Sequence, residues 1–176
     1  MFTDGKSTGY HIFLLPAGVV KEKASATIRE LSQTYGGEPF DPHVTLLHGI
    51  SPEDSSLVKG KAHTLARELA PFPLTLGNIG AEDYFFRALY VQVVITDSLR
   101  DAHVAAVRVF KLQDQGTYHP HMSLFYGSLP AHTKEEIIPS LDSYAGITFM
   151  VDRLHVYQTE GSPKEWKLIA EYPFGE

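Results

Sequence analysis

The chain has 176 residues, 43% of them hydrophobic, and a formal net charge of −6. That allows one domain with a real core and excludes the basic footprint that tight, sequence-independent binding of long nucleic acid needs. With no cysteine there is no disulfide framework, no thiol catalysis and no cysteine-ligated zinc.

The opening Met1-Phe2-Thr3-Asp4-Gly5-Lys6 lacks the apolar stretch of a signal peptide. No later run approaches the ~18 apolar residues of a membrane span, so a soluble protein without membrane contact is expected; the absence of cysteine fits a cytoplasmic location, and a monomer is expected. Residues 10–15 read as a strand stopped by Pro16. Lys21 to Tyr35 suits a helix, with Ile28 and Leu31 three apart and Gly36-Gly37 at its end. A strand follows over Pro42 to Gly49, and Ser51-Pro52-Glu53-Asp54 offers a helix start, with Leu57, Leu65 and Leu69 as its apolar positions.

Pro71 and Pro73 break that helix. Leu74 to Ile79 and Phe85 to Ile95 read as a strand pair, and Asp97 to Phe110 as a helix capped by Asp97 with a Val104, Val107, Phe110 stripe. Pro120 to Gly127 is the next strand, and Lys134 to Ile138 a short helix ended by Pro139. The tail reads as a hairpin: Ile147 to Gln158, a Gly161-Ser162-Pro163 turn, then Trp166 to Tyr172. Strands outnumber helices and are often hairpin-linked, which implies an α+β protein with largely antiparallel sheets.

Two stretches nearly repeat each other: Pro42-His43-Val44-Thr45-Leu46-Leu47-His48-Gly49 and Pro120-His121-Met122-Ser123-Leu124-Phe125-Tyr126-Gly127. The repeat suggests one domain over residues 1–176 built from two related lobes. On a strand, residues two apart share a face. His43 and Thr45 therefore point one way and Val44 and Leu46 into a core; His121 and Ser123 stand likewise, with Met122 and Leu124 opposite. If the two platforms face each other, two imidazoles and two hydroxyls line one cleft. One histidine can then act as base and the other as acid, while the hydroxyls bind oxygens that gain charge, which suits a phosphate ester and needs no metal. A lone His-x-Thr on a strand is usually structural; two copies with flanking proline, leucine and glycine are not easily accidental.

These residues resemble the paired His-x-Thr/Ser-x motifs of the two-histidine phosphoesterases. Pro-His-Val-Thr-Leu and Pro-His-Met-Ser-Leu-Phe-Tyr-Gly look most like the cyclic phosphodiesterases of plants and yeast. The opening strand ending Leu-Leu-Pro and the aromatic stretch from Tyr84 to Val91 are also similar. The resemblance implies a bilobal fold with two pseudo-symmetric lobes, each with a mainly antiparallel sheet and outer helices, around a central cleft. It implies metal-independent hydrolysis of ADP-ribose 1″,2″-cyclic phosphate and of nucleoside 2′,3′-cyclic phosphates, the latter to 2′-phosphates, chemistry associated with tRNA splicing. His43 and His121 carry over as the catalytic pair and Thr45 and Ser123 as phosphate-binding hydroxyls, with no cofactor and no metal. Which histidine is acid and which is base stays open. So do two other readings: an RNA-directed relative (an RNA 2′,5′-ligase/phosphodiesterase or an RNA 3′-end exonuclease), disfavoured by the acidic balance and few Lys/Arg near either motif, and a non-catalytic nucleotide-binding module.

The resemblance also places Tyr126 near the substrate. Strand parity puts Tyr126 and His48 on the face opposite the pair, unless each strand ends or bulges just before Gly127 and Gly49. His119 reads as a surface or turn residue. Tyr84, Phe85, Phe86 and Trp166 are candidates to stack a base. His11, His63, His103, His132 and His155 have no constellation around them and read as structural or surface residues. No His-Glu-x-x-His appears, and His119-Pro120-His121 alone is a weak metal signal.

Overall fold

The structure is a computed structural model describing residues 5–52, 54–113 and 116–176. Met1 to Asp4 of the opening segment and Glu53 of the predicted helix start lie outside them. In chain order the elements are β1 (Tyr10–Leu14), α1 (Gly18–Tyr35), β2 (Val44–Ile50), α2 (Ser55–Glu68), β3 (Phe72–Gly80), β4 (Leu89–Val93), α3 (Asp97–Phe110), β5 (His121–Phe125), α4 (Ala131–Ser140), β6 (Thr148–Val151), β7 (Arg153–Gln158) and β8 (Lys167–Pro173). The strands form one antiparallel eight-stranded sheet in the order β6-β3-β4-β5-β2-β1-β7-β8.

The fold is α+β and the two lobes are the two halves of this sheet. One half is β6-β3-β4-β5, the other β2-β1-β7-β8, and they meet at a single residue pair, Val44 with Met122. These two occupy the same position in the two copies of the repeat. An antiparallel pairing of equivalent residues puts a local two-fold axis between them. The implied pair of sheets is therefore one sheet with a minimal seam.

Helices follow the same symmetry. Helix α1, which links β1 to β2, packs on β5, and α3, which links β4 to β5, packs on β2. Each motif strand is thus covered by the other half's helix. Ala24, Ile28, Leu31 and Ser32 form the buried face of α1, and each such Ile or Leu removed from water contributes ~1.5–3 kcal/mol. Gly36 ends α1 in the left-handed region at φ 80°, its N–H donating to the Ser32 carbonyl, a conformation that glycine adopts without strain.

Several expectations need correction. The cap of α3 is Thr96, whose hydroxyl accepts from the Leu99 N–H, so Asp97 is the first helical residue. Its buried face is Leu99, Ala102, Ala106 and Phe110, while Val104 is exposed. In α2 the buried face is Val58, Ala62, Leu65 and Ala66, and Leu57 is exposed, one residue off the stripe. Pro139 lies inside the last turn of α4 rather than after it. Pro73 does not exclude β3 from starting at Phe72, because that end of β3 pairs only with the short edge strand β6. Phe85 to Arg87 forms a 3₁₀ turn before β4 instead of its first residues. The predicted strand from Ile147 to Gln158 is two strands that part at Asp152, β6 pairing with β3 and β7 with β1 and β8, at opposite ends of the sheet. Among the described residues, no helix is long and apolar enough to cross a membrane.

Candidate active site

A cleft of about 200 Å³ lies where the two halves meet, and His43, Thr45, His121, Ser123 and Tyr126 all line it. The structure therefore brings together every residue singled out from the repeat. His48 joins them, as do Tyr84, Phe86 and Trp166, whereas Phe85 lines a neighbouring cavity on the other side of Tyr126.

Strand parity alone would have sent Tyr126 and His48 to the far face. A β-bulge in each motif strand reverses it. Ile12 pairs with Leu47 and Phe13 with Thr45, leaving Leu46 as an extra residue; Leu89 pairs with Phe125 and Tyr90 with Ser123, leaving Leu124 as the extra one. Two consecutive apolar residues then face the core (Leu46-Leu47, Leu124-Phe125), and the next side chain returns to the cleft. The bulges sit at the same repeat position; β2 shifts register again between Leu47 and Ile50, and β5 ends at Phe125, so each strand also bulges or ends just before its glycine. After β5 the chain turns at Gly127, φ 154°, where an added Cβ would lie 2.7 Å from the Phe125 ring.

Both motif histidines are held the same way. Nδ1 of His43 lies 2.6 Å from the Asp41 carbonyl, and Nδ1 of His121 lies 2.8 Å from the His119 carbonyl. A carbonyl only accepts, so each Nδ1 carries the proton and each Nε2 is left for the chemistry. The intervening Pro42 and Pro120 favour extended backbone before them, which presents those carbonyls to the rings. His119 itself is a surface residue, as read from sequence, but its backbone orients His121.

Burial is the main influence on both imidazoles. It lowers His43 to about 4 against the opposing pull of the Asp41 carbonyl. It lowers His121 to about 4 as well, against the His119 carbonyl and helped by the nearby positive charge of Arg87. In the unliganded protein at neutral pH both are therefore neutral. His43 stacks on Phe13 with ring centroids 3.9 Å apart, and its Nε2 lies 3.3 Å from the Tyr126 hydroxyl. Tyr126 is buried, which raises its own hydroxyl well above the usual tyrosine value. Ser123 donates a 2.7 Å hydrogen bond to the Phe86 carbonyl, so this hydroxyl is engaged with backbone before any ligand arrives. The backbone carbonyls of Thr45 and Leu46, beside the seam and the bulge, accept from the Tyr118 hydroxyl (3.1 Å) and face Nδ1 of His103 (2.8 Å).

Three cleft residues escaped the sequence reading. His11 reads as structural by local spacing, but it shares a face of β1 with Phe13 and lines the cleft beside His43 and His48. Its relation to the motif is across strands, which no local spacing reveals. Arg87 is among the few basic residues near the motifs, and the 3₁₀ turn brings it into the cleft. Ser7 reaches the cleft because its backbone pairs with Gly161. The remaining histidines, His63, His103, His132 and His155, lie outside the lining. Among the described residues, no group of three or more His, Asp or Glu side chains is placed to hold a metal ion.

Residues 16–163 match the family described as the 2′-5′ RNA ligase superfamily. The uncharacterized protein UNK4,15 of Schizosaccharomyces pombe is 28% identical over 91 residues, which take in 50% of this chain and 44% of that protein. The chain thus matches less than half of that relative's length. Solved structures share the fold. Escherichia coli LigT complexed with 3′-AMP superposes with a TM-score of 0.64 at 14% identity, covering 96% of this chain and 99% of that one. TT0787 of Thermus thermophilus superposes with a TM-score of 0.67 at 19% identity, covering 94% and 97%.

Proposed function

Because the chain belongs to the 2′-5′ RNA ligase superfamily of two-histidine phosphoesterases, we propose that it hydrolyses small cyclic phosphodiesters, with His43 and His121 as its acid–base pair. The observation that carries this reading is the matched pair of imidazoles. Each has Nδ1 tied to a backbone carbonyl and lines the same cleft as Thr45 and Ser123. The substrates proposed are nucleoside 2′,3′-cyclic phosphates and ADP-ribose 1″,2″-cyclic phosphate.

The roles divide by surroundings. Burial lowers both rings alike, and His121 is assigned as the neutral base because the full charge of Arg87 disfavours a second positive charge there more than the Tyr126 hydroxyl does at His43. Water attacks phosphorus and gives one proton to Nε2 of His121. The bond from phosphorus to the 3′ oxygen breaks, and Nε2 of His43 delivers its proton to that oxygen, leaving the 2′-phosphate. His43 is neutral in the empty cleft; the negative charge of the entering phosphodiester raises its proton affinity and lets it take up the proton it later donates. Thr45 and Ser123 donate to the non-bridging oxygens as charge builds there, Ser123 by turning from the Phe86 carbonyl. Tyr126 holds His43, and Trp166, Phe86 and Tyr84 offer faces for a base. The chemistry needs no cofactor, and the proposed setting is cytoplasmic.

The family's description favours a second reading, in which RNA is the substrate. Against it stand the net charge of −6 and a cleft lining with a single cation among the described residues. Product identification from a panel decides between them: a nucleoside 2′,3′-cyclic phosphate, ADP-ribose 1″,2″-cyclic phosphate and a short RNA ending in a 2′,3′-cyclic phosphate. Turnover of the first two supports the proposal. Strong preference for the RNA overturns it in favour of the second reading, and nucleotide binding with no turnover from pH 5 to 9 leaves a binding module.

A further inference from the structure

The charge balance of the cleft points to a residue outside the repeat. Four imidazoles line it, and burial lowers all four: His11 to about 3, His43 and His121 to about 4, and His48 below its ordinary value. No carboxylate lies among the described lining residues. The guanidinium of Arg87 is therefore the one permanent charge there, in a protein of net charge −6.

That guanidinium is held from behind. Its Nη2 lies 2.6 Å from Oε2 of Glu82, and its Cζ lies 5.2 Å from the centre of the Tyr84 ring. The other carboxylate oxygen of Glu82 accepts from the Tyr90 hydroxyl at 3.2 Å, and Lys134 donates to the Glu82 backbone carbonyl at 2.9 Å. Nη1 of Arg87 lies 3.4 Å from Nδ1 of His119, a long contact. Glu82 itself does not line the cleft. An ion pair serving stability alone gives no reason for this division, with the carboxylate behind and the cation in the site.

The opposite half has no counterpart. Phe13 occupies the position equivalent to Tyr90, pairing with Thr45 as Tyr90 pairs with Ser123, and it has no hydroxyl to anchor a carboxylate. The asymmetry falls on a background of matched bulges, matched ring tethers and matched hydroxyls.

We infer that Arg87 is a substrate-binding residue that neutralises the phosphate anion in the cleft, with Glu82 as the residue that positions it. The inference rests on the phosphodiester reading and adds a binding group outside the motifs. A guanidinium already fixed by a carboxylate and an aromatic face loses little freedom when an anion docks, and its remaining N–H donors suit paired oxygens.

The test measures binding of inorganic phosphate by calorimetry and steady-state hydrolysis of a nucleoside 2′,3′-cyclic phosphate in wild type, Arg87→Gln, Arg87→Lys and Glu82→Gln. Arg87→Gln should weaken phosphate binding and raise KM by about tenfold or more, as expected for loss of a charge-assisted hydrogen bond, with a smaller change in kcat. Arg87→Lys should recover part of the affinity, and Glu82→Gln should fall between wild type and Arg87→Gln. If Arg87→Gln does not fold because Glu82 is left unpaired, the Glu82→Gln/Arg87→Gln double variant removes both charges and carries the same expectation. Unchanged phosphate affinity and KM in a folded variant lacking Arg87 overturn the inference. Arg87-dependent phosphate binding without turnover of any cyclic phosphate would uphold the anion site while the hydrolase reading fails.

Discussion

The hydroxyl of Tyr126 stands 3.3 Å from Nε2 of His43, the one ring nitrogen that the Asp41 carbonyl leaves open. A hydroxyl donating there favours the neutral imidazole. In Tyr126→Phe, His43 should titrate higher than its value of about 4, read from ring proton shifts by NMR. Turnover should fall by about tenfold or less, because Tyr126 carries no proton in the reaction. A downward shift, or none, contradicts the assigned contact.

His43→Ala and His121→Ala should each lower turnover by about 10²–10⁴, the range for one acid or base. The double variant should lose little beyond the worse single one, since the two groups act as a unit. Initial rates on a cyclic nucleotide decide this. Either single variant keeping most of its activity contradicts the pairing.

Ser123→Ala removes the donor to the Phe86 carbonyl. The part-buried Phe86 carbonyl left without its partner costs about 1 kcal/mol, and each kcal/mol lowers Tm by about 2–4 °C in a domain of this size. Thr45→Val keeps the shape of its side chain and should lower activity with less effect on Tm. Thermal scans beside activity assays test the contrast, and the reverse order of stabilities would refute it.

His11, His43 and His121 are neutral in the folded protein, with values of about 3, 4 and 4 against the ordinary histidine value of 6.5. Below 6.5 the unfolded chain binds more protons than the folded one. Their contribution is thus fully present above that pH and is lost as pH falls toward 4. Tm should be level from pH 8 to 7 and decline between 6.5 and 4.5. A flat Tm across that window speaks against buried neutral imidazoles.

Proton transfer in the proposed mechanism runs between two side chains, so incubation with a chelator and dialysis should leave hydrolysis at its original rate. A loss restored by adding back a divalent cation would count against the mechanism.

The four repeat residues His43, Thr45, His121 and Ser123 could be read from sequence because alternation on a strand is local. So could the helices, within a few residues. What alternation could not show was the bulge at Leu46 and Leu124, since an extra residue is defined only against the partner strands β1 and β4. Arg87 stayed hidden for a related reason. The aromatic run from Phe85 looks like a strand by composition, and only its 3₁₀ turn aims the arginine inward. Leu57 and Val104 show the same weakness in helices, where hydrophobic spacing selects a stripe but tertiary packing decides which stripe faces the core.

The pairing of Val44 with Met122 has a mechanical consequence. One imidazole rides on each half-sheet, and β2 and β5 are stitched together at that one point. The gap between the two imidazoles is therefore gauged at one backbone pairing, braced by α1 on β5 and α3 on β2, as the pivot of a caliper sets the spread of its jaws. Side chains that never see the ligand, Val44 and Met122 on the core side, hold the adjustment screw.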